Sequence, residues 1–299
     1  MKDSNIFKKA CLIQLATSCW VGAKMLQPGI MEKIGDSEWL KGRKLLINPE
    51  LLGPIKTTIQ KARQLLMKHA LPFPLPGLFL VPKENIADVD GQLALIQQEF
   101  ASKAESFSSF YEEAREEAKI VLGTLFSETD YPVNIRTKFR FDWRFLLLDV
   151  PGKASILTPE IYEREKEKFQ ALMEEARELS VIALREEFQE VVAHMVERLN
   201  GNGTGKPKTI KSNMVNRINE FLDSFGDRNL FNDEQLSELV TQARTSIAGV
   251  QNTYALNYNE VLRKRFSSEM SNLKTSIDLA IEDMPRRRIR MNEAEALAA

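Results

Sequence analysis

The sequence predicts a mainly α protein with a small antiparallel β element, an α+β class with long coiled-coil-like helices. Three observations carry this. From Asn85 to about Phe126, apolar residues recur at Ile86, Val89, Leu93, Ile96, Phe100, Ala104, Phe107, Tyr111, Ala114, Ala118, Val121 and Leu125. A second stretch of similar reach, Pro159 to about Asn200, places Tyr162, Phe169, Leu172, Ala176 and Leu179 at heptad-like spacing. Between them Phe139, Phe141, Trp143, Phe145 and Leu147 alternate with Lys138, Arg140, Asp142 and Arg144, the period of a half-buried strand.

The totals fit this class. A chain of 299 residues makes two domains of ordinary size, or one with a long extension. Hydrophobic content of 43% with 28% charge belongs to a folded, helix-rich protein. The net charge of -1 gives no global field to recruit nucleic acid, so any such binding needs a local patch. Apolar runs fall far short of the ~20 residues that span a bilayer. Met1-Lys2-Asp3-Ser4 lacks the layout of a secretory signal, and the cytoplasm is the expected compartment. Cys11 and Cys19 would lie about 26 Å apart on a strand and roughly 12 Å apart on a helix, too far for a disulfide. They read as small core hydrophobes.

In chain order, Ile13, Leu15, Thr17, Cys19 and Val21 share one face at period two, which predicts a strand over 11–21. Ala10, Ala16 and Ala23 favour a short helix instead. After Gln27-Pro28-Gly29, Lys44–Ile47 reads as a second short strand, closed by Asn48-Pro49. A helix is firm from Pro54, with Leu52, Ile55, Ile59, Ala62 and Leu66 on one face. Pro72, Pro74, Pro76 and Pro82 make a stiff extended connector with a strand at Leu78–Val81.

The long stretch from Asn85 then steps by threes and fours, with one extra four after Phe100 that reads as a stutter. As a helix it is roughly 60 Å long, which looks too long for a compact core. Pro151-Gly152 ends the aromatic strand. Thr158 caps the second rod and Pro159 sits first in it. Its stripe widens through Ile182, Phe188, Val191, Met195 and Leu199. Two rods of matched length are expected to pack along each other, in either direction.

Gly201–Pro207 reads as a flexible linker. Beyond it come a short helix over Ile210–Phe225, a cap at Asn232/Asp233, and from Leu236 another long helix through Val240, Ala243, Ile247, Val250 and Tyr254, whose stripe resumes at Met270 and runs up to Pro285. The expected division is 1–157, 158–200, 201–209, 210–285 and a disordered basic tail over 286–299.

No catalytic constellation is visible, and no cofactor or metal is expected. Gly205-Lys206 departs from a phosphate-binding loop, because Asn200 and Pro207 occupy required positions and a helix precedes them. Glu112, Glu113, Glu116 and Glu117, and the acidic run from Glu174 to Glu190, lack the paired Glu-x-x-His of a carboxylate-bridged metal centre. They read as solvated faces with partners such as Arg115 and Arg177. With two histidines, His69 and His194, neither a zinc site nor a nucleophile–base pair is supplied. An enzyme would need a site assembled from scattered residues.

Two basic features remain: Arg136, Lys138, Arg140 and Arg144 along the aromatic strand, and Arg286, Arg287, Arg288 and Arg290 in the tail. One reading is a surface for nucleic acid or an acidic partner. The other is an edge strand charged against pairing, and a soluble chain end. The helix-seam candidates for partner contact are Phe100, Phe107, Tyr111, Phe169, Leu172 and Leu179.

Ser18-Cys19-Trp20-Val21-Gly22-Ala23-Lys24-Met25-Leu26, Lys44-Leu45-Leu46-Ile47-Asn48-Pro49, Gly77-Leu78-Phe79-Leu80-Val81-Pro82 and the Phe139–Leu147 strand follow one another in order. Together they resemble an uncharacterised bacterial and phage family, the domain of unknown function numbered thirty-one fifty. The resemblance covers roughly 10–200 and brings no catalytic residues. What it implies is context: phages and mobile genetic elements, beside MoxR-type AAA+ ATPases and von Willebrand A proteins similar to cobaltochelatase subunits. The expected function is a non-enzymatic adaptor or scaffold that binds such protein partners, with self-association open. Nucleic-acid binding through the arginine strand and tail is the alternative.

Overall fold

The computed structural model describes residues 6–31, 41–148, 158–201, 208–249 and 253–282. They are mainly helical with a small antiparallel sheet, in two compact units, Met1–Met173 and Glu174–Ala299.

The first unit runs α1 (Ile6–Lys9), β1 (Ala10–Ser18), β2 (Ala23–Met25), α2 (Pro28–Met31), β3 (Arg43–Leu45) and α3 (Gly53–His69). It continues with β4 (Leu71–Pro72), β5 (Leu78–Pro82), α4 (Ile86–Leu122), β6 (Arg140–Leu146) and the start of α5 (Pro159–Asn200). The strand reading of residues 11–21 holds for Ala10–Ser18, although the strand stops short of Val21. The main sheet has the order β4-β5-β1-β6, all antiparallel, and β2 pairs with β3 separately. Central β1 sets Ile13 between Phe79 and Phe145, and Leu15 opposite Trp143.

Helix α3 has Pro in its first turn and buries Ile55, Ile59, Ala62 and Leu66, the face its spacing predicts. Helix α4 has 37 residues, about 56 Å by rise. It buries Val89, Leu93, Phe100, Ala104, Phe107, Tyr111, Ala114 and Ala118. That stripe joins one core with α3, Ile13, Tyr131, Ile135 and Phe141. The expectation that such a helix outreaches a compact core is therefore corrected. Cover comes in turn from α3, from the sheet and from the chain after the helix, so the stripe is buried from Val89 to Ala118, while Val121 beyond it stands exposed. At Gly123 a φ of +50° ends the helix, a conformation costly for other residues.

In the second unit, α5 beyond Met173 is joined by α6 (Ser212–Arg228), α7 (Glu234–Ala248), α8 (Thr253–Tyr258) and α9 (Glu260–Glu282). Phe188 stacks on Phe221 at 4.9 Å. Gln189 reaches Asp278 at 2.6 Å and Asn200 reaches Ser271 at 3.4 Å, so α9 runs antiparallel to α5. Arg217 bonds Glu190 and Arg228 bonds Glu187, which sets α6 antiparallel as well. The stripe read as one helix from Leu236 towards Pro285 is divided: α7 stops at Ala248, with Gly249 as its cap. Helix α9 then packs back along α7. The heptad phase changes across the break: Leu236, Val240 and Ala243 share one register, and Phe266, Met270, Leu273, Ile277 and Ala280 share another.

One buried ion pair ties this unit together. Arg185 holds Asp233 with Nε–Oδ2 at 2.7 Å and Nη2–Oδ1 at 2.9 Å, and its third nitrogen donates to the Ala280 carbonyl. Asp233 also caps α7, accepting from the Leu236 amide at 3.1 Å. Burial alone would raise its carboxyl; the Arg185 hydrogen bonds, the Leu236 amide and the Arg185 charge outweigh burial and hold it below its ordinary 3.8. A depressed folded value makes this contribution complete above the unfolded value and lost as pH falls through the folded one. Asp233→Ala removes the cap and leaves the Arg185 charge buried alone. It is expected to cost about 3–5 kcal/mol by urea unfolding, with the loss shrinking below about pH 4.

Candidate interaction surface

Strand β6 lies at the edge of the sheet. Its alternation divides two kinds of chemistry. Phe141 is buried and meets Phe100 at 5.5 Å, while Phe139, just before the strand, meets Phe107 at 5.7 Å. The Trp143 Nε1 donates to Asp90 of α4 at 2.8 Å. The rings thus face the helix, and Arg140, Asp142 and Arg144 face the other way with Gln14, Ala16 and Ser18.

The backbone of β6 has a free side. Ala10 stands opposite Pro82, which has no N–H, so that pair is not a hydrogen-bonded one. By alternation Leu12, Gln14, Ala16 and Ser18 direct their backbone groups to β6, where Leu146, Arg144, Asp142 and Arg140 answer them. Phe141, Trp143 and Phe145 then point their N–H and C=O outwards. In accord with this, the Gln97 side chain of α4 donates to the Phe141 carbonyl at 2.8 Å, from outside the sheet.

Beside that edge runs an open groove of about 400 Å³. One wall is Phe139 and Phe141; the other is the α4 face of Gln97, Gln98, Ala101, Ala104, Glu105 and Ser108. Arg136 spans one end, its Nε and Nη2 on the Glu105 carboxylate at 2.9 and 2.6 Å. Those hydrogen bonds hold Glu105 below the usual carboxylate range.

The Ser18–Leu26 motif lies where β1 leaves the sheet. Trp20 packs edge-on to Tyr111 at 5.7 Å, with Phe107 and Tyr131 each at 6.4 Å. Gly22 has φ +64°, and a Cβ there would meet Leu52 at 3.1 Å and Ile47 at 3.2 Å. Its carbonyl accepts from the Leu46 amide at 2.8 Å. Lys24 and Lys44 each meet Asp130 at 2.5 Å. Tyr131 donates to the Leu46 carbonyl at 2.8 Å, and burial pushes the Tyr111 hydroxyl up to about 12.

The residues singled out from sequence are placed as follows. Arg136, Lys138, Arg140 and Arg144 are all exposed. Arg140 reaches Asp142 at 3.3 Å, and Lys138 and Arg144 make no ion pair among the described residues. Phe100, Phe107 and Tyr111 are buried in the first unit's core. Phe169, Leu172 and Leu179 on α5 are half-buried. Arg286, Arg287, Arg288, Arg290 and the Gly205-Lys206 pair lie outside the described residues. Arg115 and Arg177 do pair with Glu112 and Glu174. Cys11 and Cys19 are free thiols. Sequence reading missed Gln97 and Glu105, which carry no pattern of their own, and Asp130, whose lysines come from over eighty residues away.

Among the described residues no His, Cys, Asp and Glu group is placed to hold a metal ion. No described helix is long and apolar enough to cross a membrane. The fold defines a mainly helical protein with a small antiparallel sheet that ends on a basic edge strand. The chain belongs to the family described as "Protein of unknown function (DUF3150)", whose profile matches residues 7–253. No curated protein and no solved structure matches it.

Tyr131 fastens the motif segment to the turn after β3. Tyr131→Phe leaves the Leu46 carbonyl buried without that donor and is expected to cost about 1–3 kcal/mol in urea unfolding.

Proposed function

We propose that this chain is a non-enzymatic adaptor of a phage or mobile-element system, binding protein partners, with a MoxR-type AAA+ ATPase and a von Willebrand A protein foremost. The observation that carries the reading is the free basic edge of β6 with a groove beside it. An edge strand with open backbone groups is a surface that another chain can complete. The identity of the partners follows from the resemblance of the Ser18–Leu26, Lys44–Pro49, Gly77–Pro82 and Phe139–Leu147 segments to the family and its genomic company. Cytoplasmic residence and self-association belong to the same reading.

Nucleic-acid binding is the second reading, favoured by Lys138 and Arg144, which are exposed and make no ion pair among the described residues. It is the weaker one, because the strand's rings are turned onto α4 and are not free to stack on bases.

Affinity purification of the chain from its native host, with mass spectrometry, is expected to recover the ATPase. Light scattering of the purified chain reads its mass and so any self-association. Recovery of nucleic acid instead, with a binding constant falling steeply as salt rises, would favour the second reading.

A further inference from the structure

We propose that the groove between β6 and α4 receives an extended acidic segment of a partner protein, added as a further antiparallel strand to the edge of the sheet. The inference rests on the adaptor reading and names how the partner is held. Three features of the groove specify the occupant.

The backbone specifies a strand. Phe141, Trp143 and Phe145 offer outward N–H and C=O groups in a regular ladder of seven residues with no proline. Gln97 already donates an amide to the Phe141 carbonyl, where the N–H of an added strand would sit. A side-chain amide there satisfies the carbonyl and yields to a backbone amide of the same chemistry.

The two faces specify the side chains. Residues of an added strand that pair with Phe141, Trp143 and Phe145 project towards α4, where Phe139, Phe141, Ala101 and Ala104 form an apolar trough. Their neighbours project to the opposite face, beside Arg140 and Arg144. Of the four cations from Arg136 to Leu146, Arg136 is paired with Glu105 and Arg140 with Asp142, which leaves Lys138 and Arg144 without an ion pair among the described residues. The complementary segment alternates apolar with acidic residues, and its apolar residues are the ones whose N–H groups bond β6.

That coupling of face and hydrogen bond gives the test. Fluorescence anisotropy of the full chain is read with a labelled nonapeptide of alternating valine and glutamate. Saturable binding is expected, weakened about tenfold or more in the double variant Lys138→Glu, Arg144→Glu, whose sites are exposed. N-methylation of the valine nitrogens is expected to abolish binding, and N-methylation of the glutamate nitrogens to leave it within about threefold. Gln97→Ala is expected to tighten binding by freeing the Phe141 carbonyl. The proposal is overturned by no saturable binding, by equal effects of the two methylation patterns, by equal affinity for a valine–lysine peptide, or by a single-stranded oligonucleotide that displaces the peptide at lower concentration. An adaptor that holds its partner elsewhere would fail here and still co-purify with the ATPase, in both the wild type and the double variant.

Discussion

Phe100, Phe107 and Tyr111 leave α4 at steps of seven and four, while Phe139, Phe141 and Trp143 leave the strand region at steps of two. The two periods meet ring on ring, Phe100 with Phe141 and Phe107 with Phe139. This lattice fixes which face of β6 is inside, because a slip of one residue would bring Arg140, Asp142 and Arg144 against the helix. Trp20 and Tyr131 extend the same aromatic layer beyond the sheet, so the β1–β2 connection and the chain after α4 dock on it as well. Burying such rings is worth roughly 2–3 kcal/mol each before entropy.

The second unit is organised by a different constraint. Helix α5 turns Arg185 inwards among apolar neighbours, and a lone guanidinium there is untenable. Asp233 and the Ala280 carbonyl meet it, which places the start of α7 beside the end of α9. A carboxylate that also caps a helix cannot slide along the bundle without losing both functions. The pair thus fixes the relative register of α5, α7 and α9, which the apolar stripes alone leave loose, since leucine and valine pack acceptably one turn away.

What the sequence made legible was whatever repeats. The stripe of α4, the aromatic alternation of β6, the proline-led start of α3 and the Asp233 cap each leave a local signature, and each element stands within a few residues of its expected bounds. What it hid was whatever joins distant residues. A period of three and four says that α4 has an apolar face, but not that α3, Trp20 and Tyr131 cover it. The stripe from Leu236 onwards reads as one helix because α7 and α9 both step by threes and fours; the break after Ala248 shows only as a change of register between Ala243 and Phe266. At the surface the basic residues of β6 were visible, whereas the pairing of Arg136 with Glu105 needed the fold. So did the reach of Gln97 to the Phe141 carbonyl.

An open edge strand is a hazard that proteins commonly blunt with charge, proline, a bulge or a covering element. In β6 the means are selective. Its cations Arg140 and Arg144, with Lys138 just before the strand, repel a second copy of the same edge. They do not repel an acidic strand. Gln97 occupies one carbonyl without sealing the ladder, and α4 stands to one side as a wall, leaving a groove where a covering helix would leave none. Protection against self-pairing and reception of a chosen strand therefore come from the same residues. Charge decides which strand is refused, and the spacing of helix from edge decides that one can still enter. A proline or a bulge would have refused every strand alike, and β6 has neither in its paired register with β1.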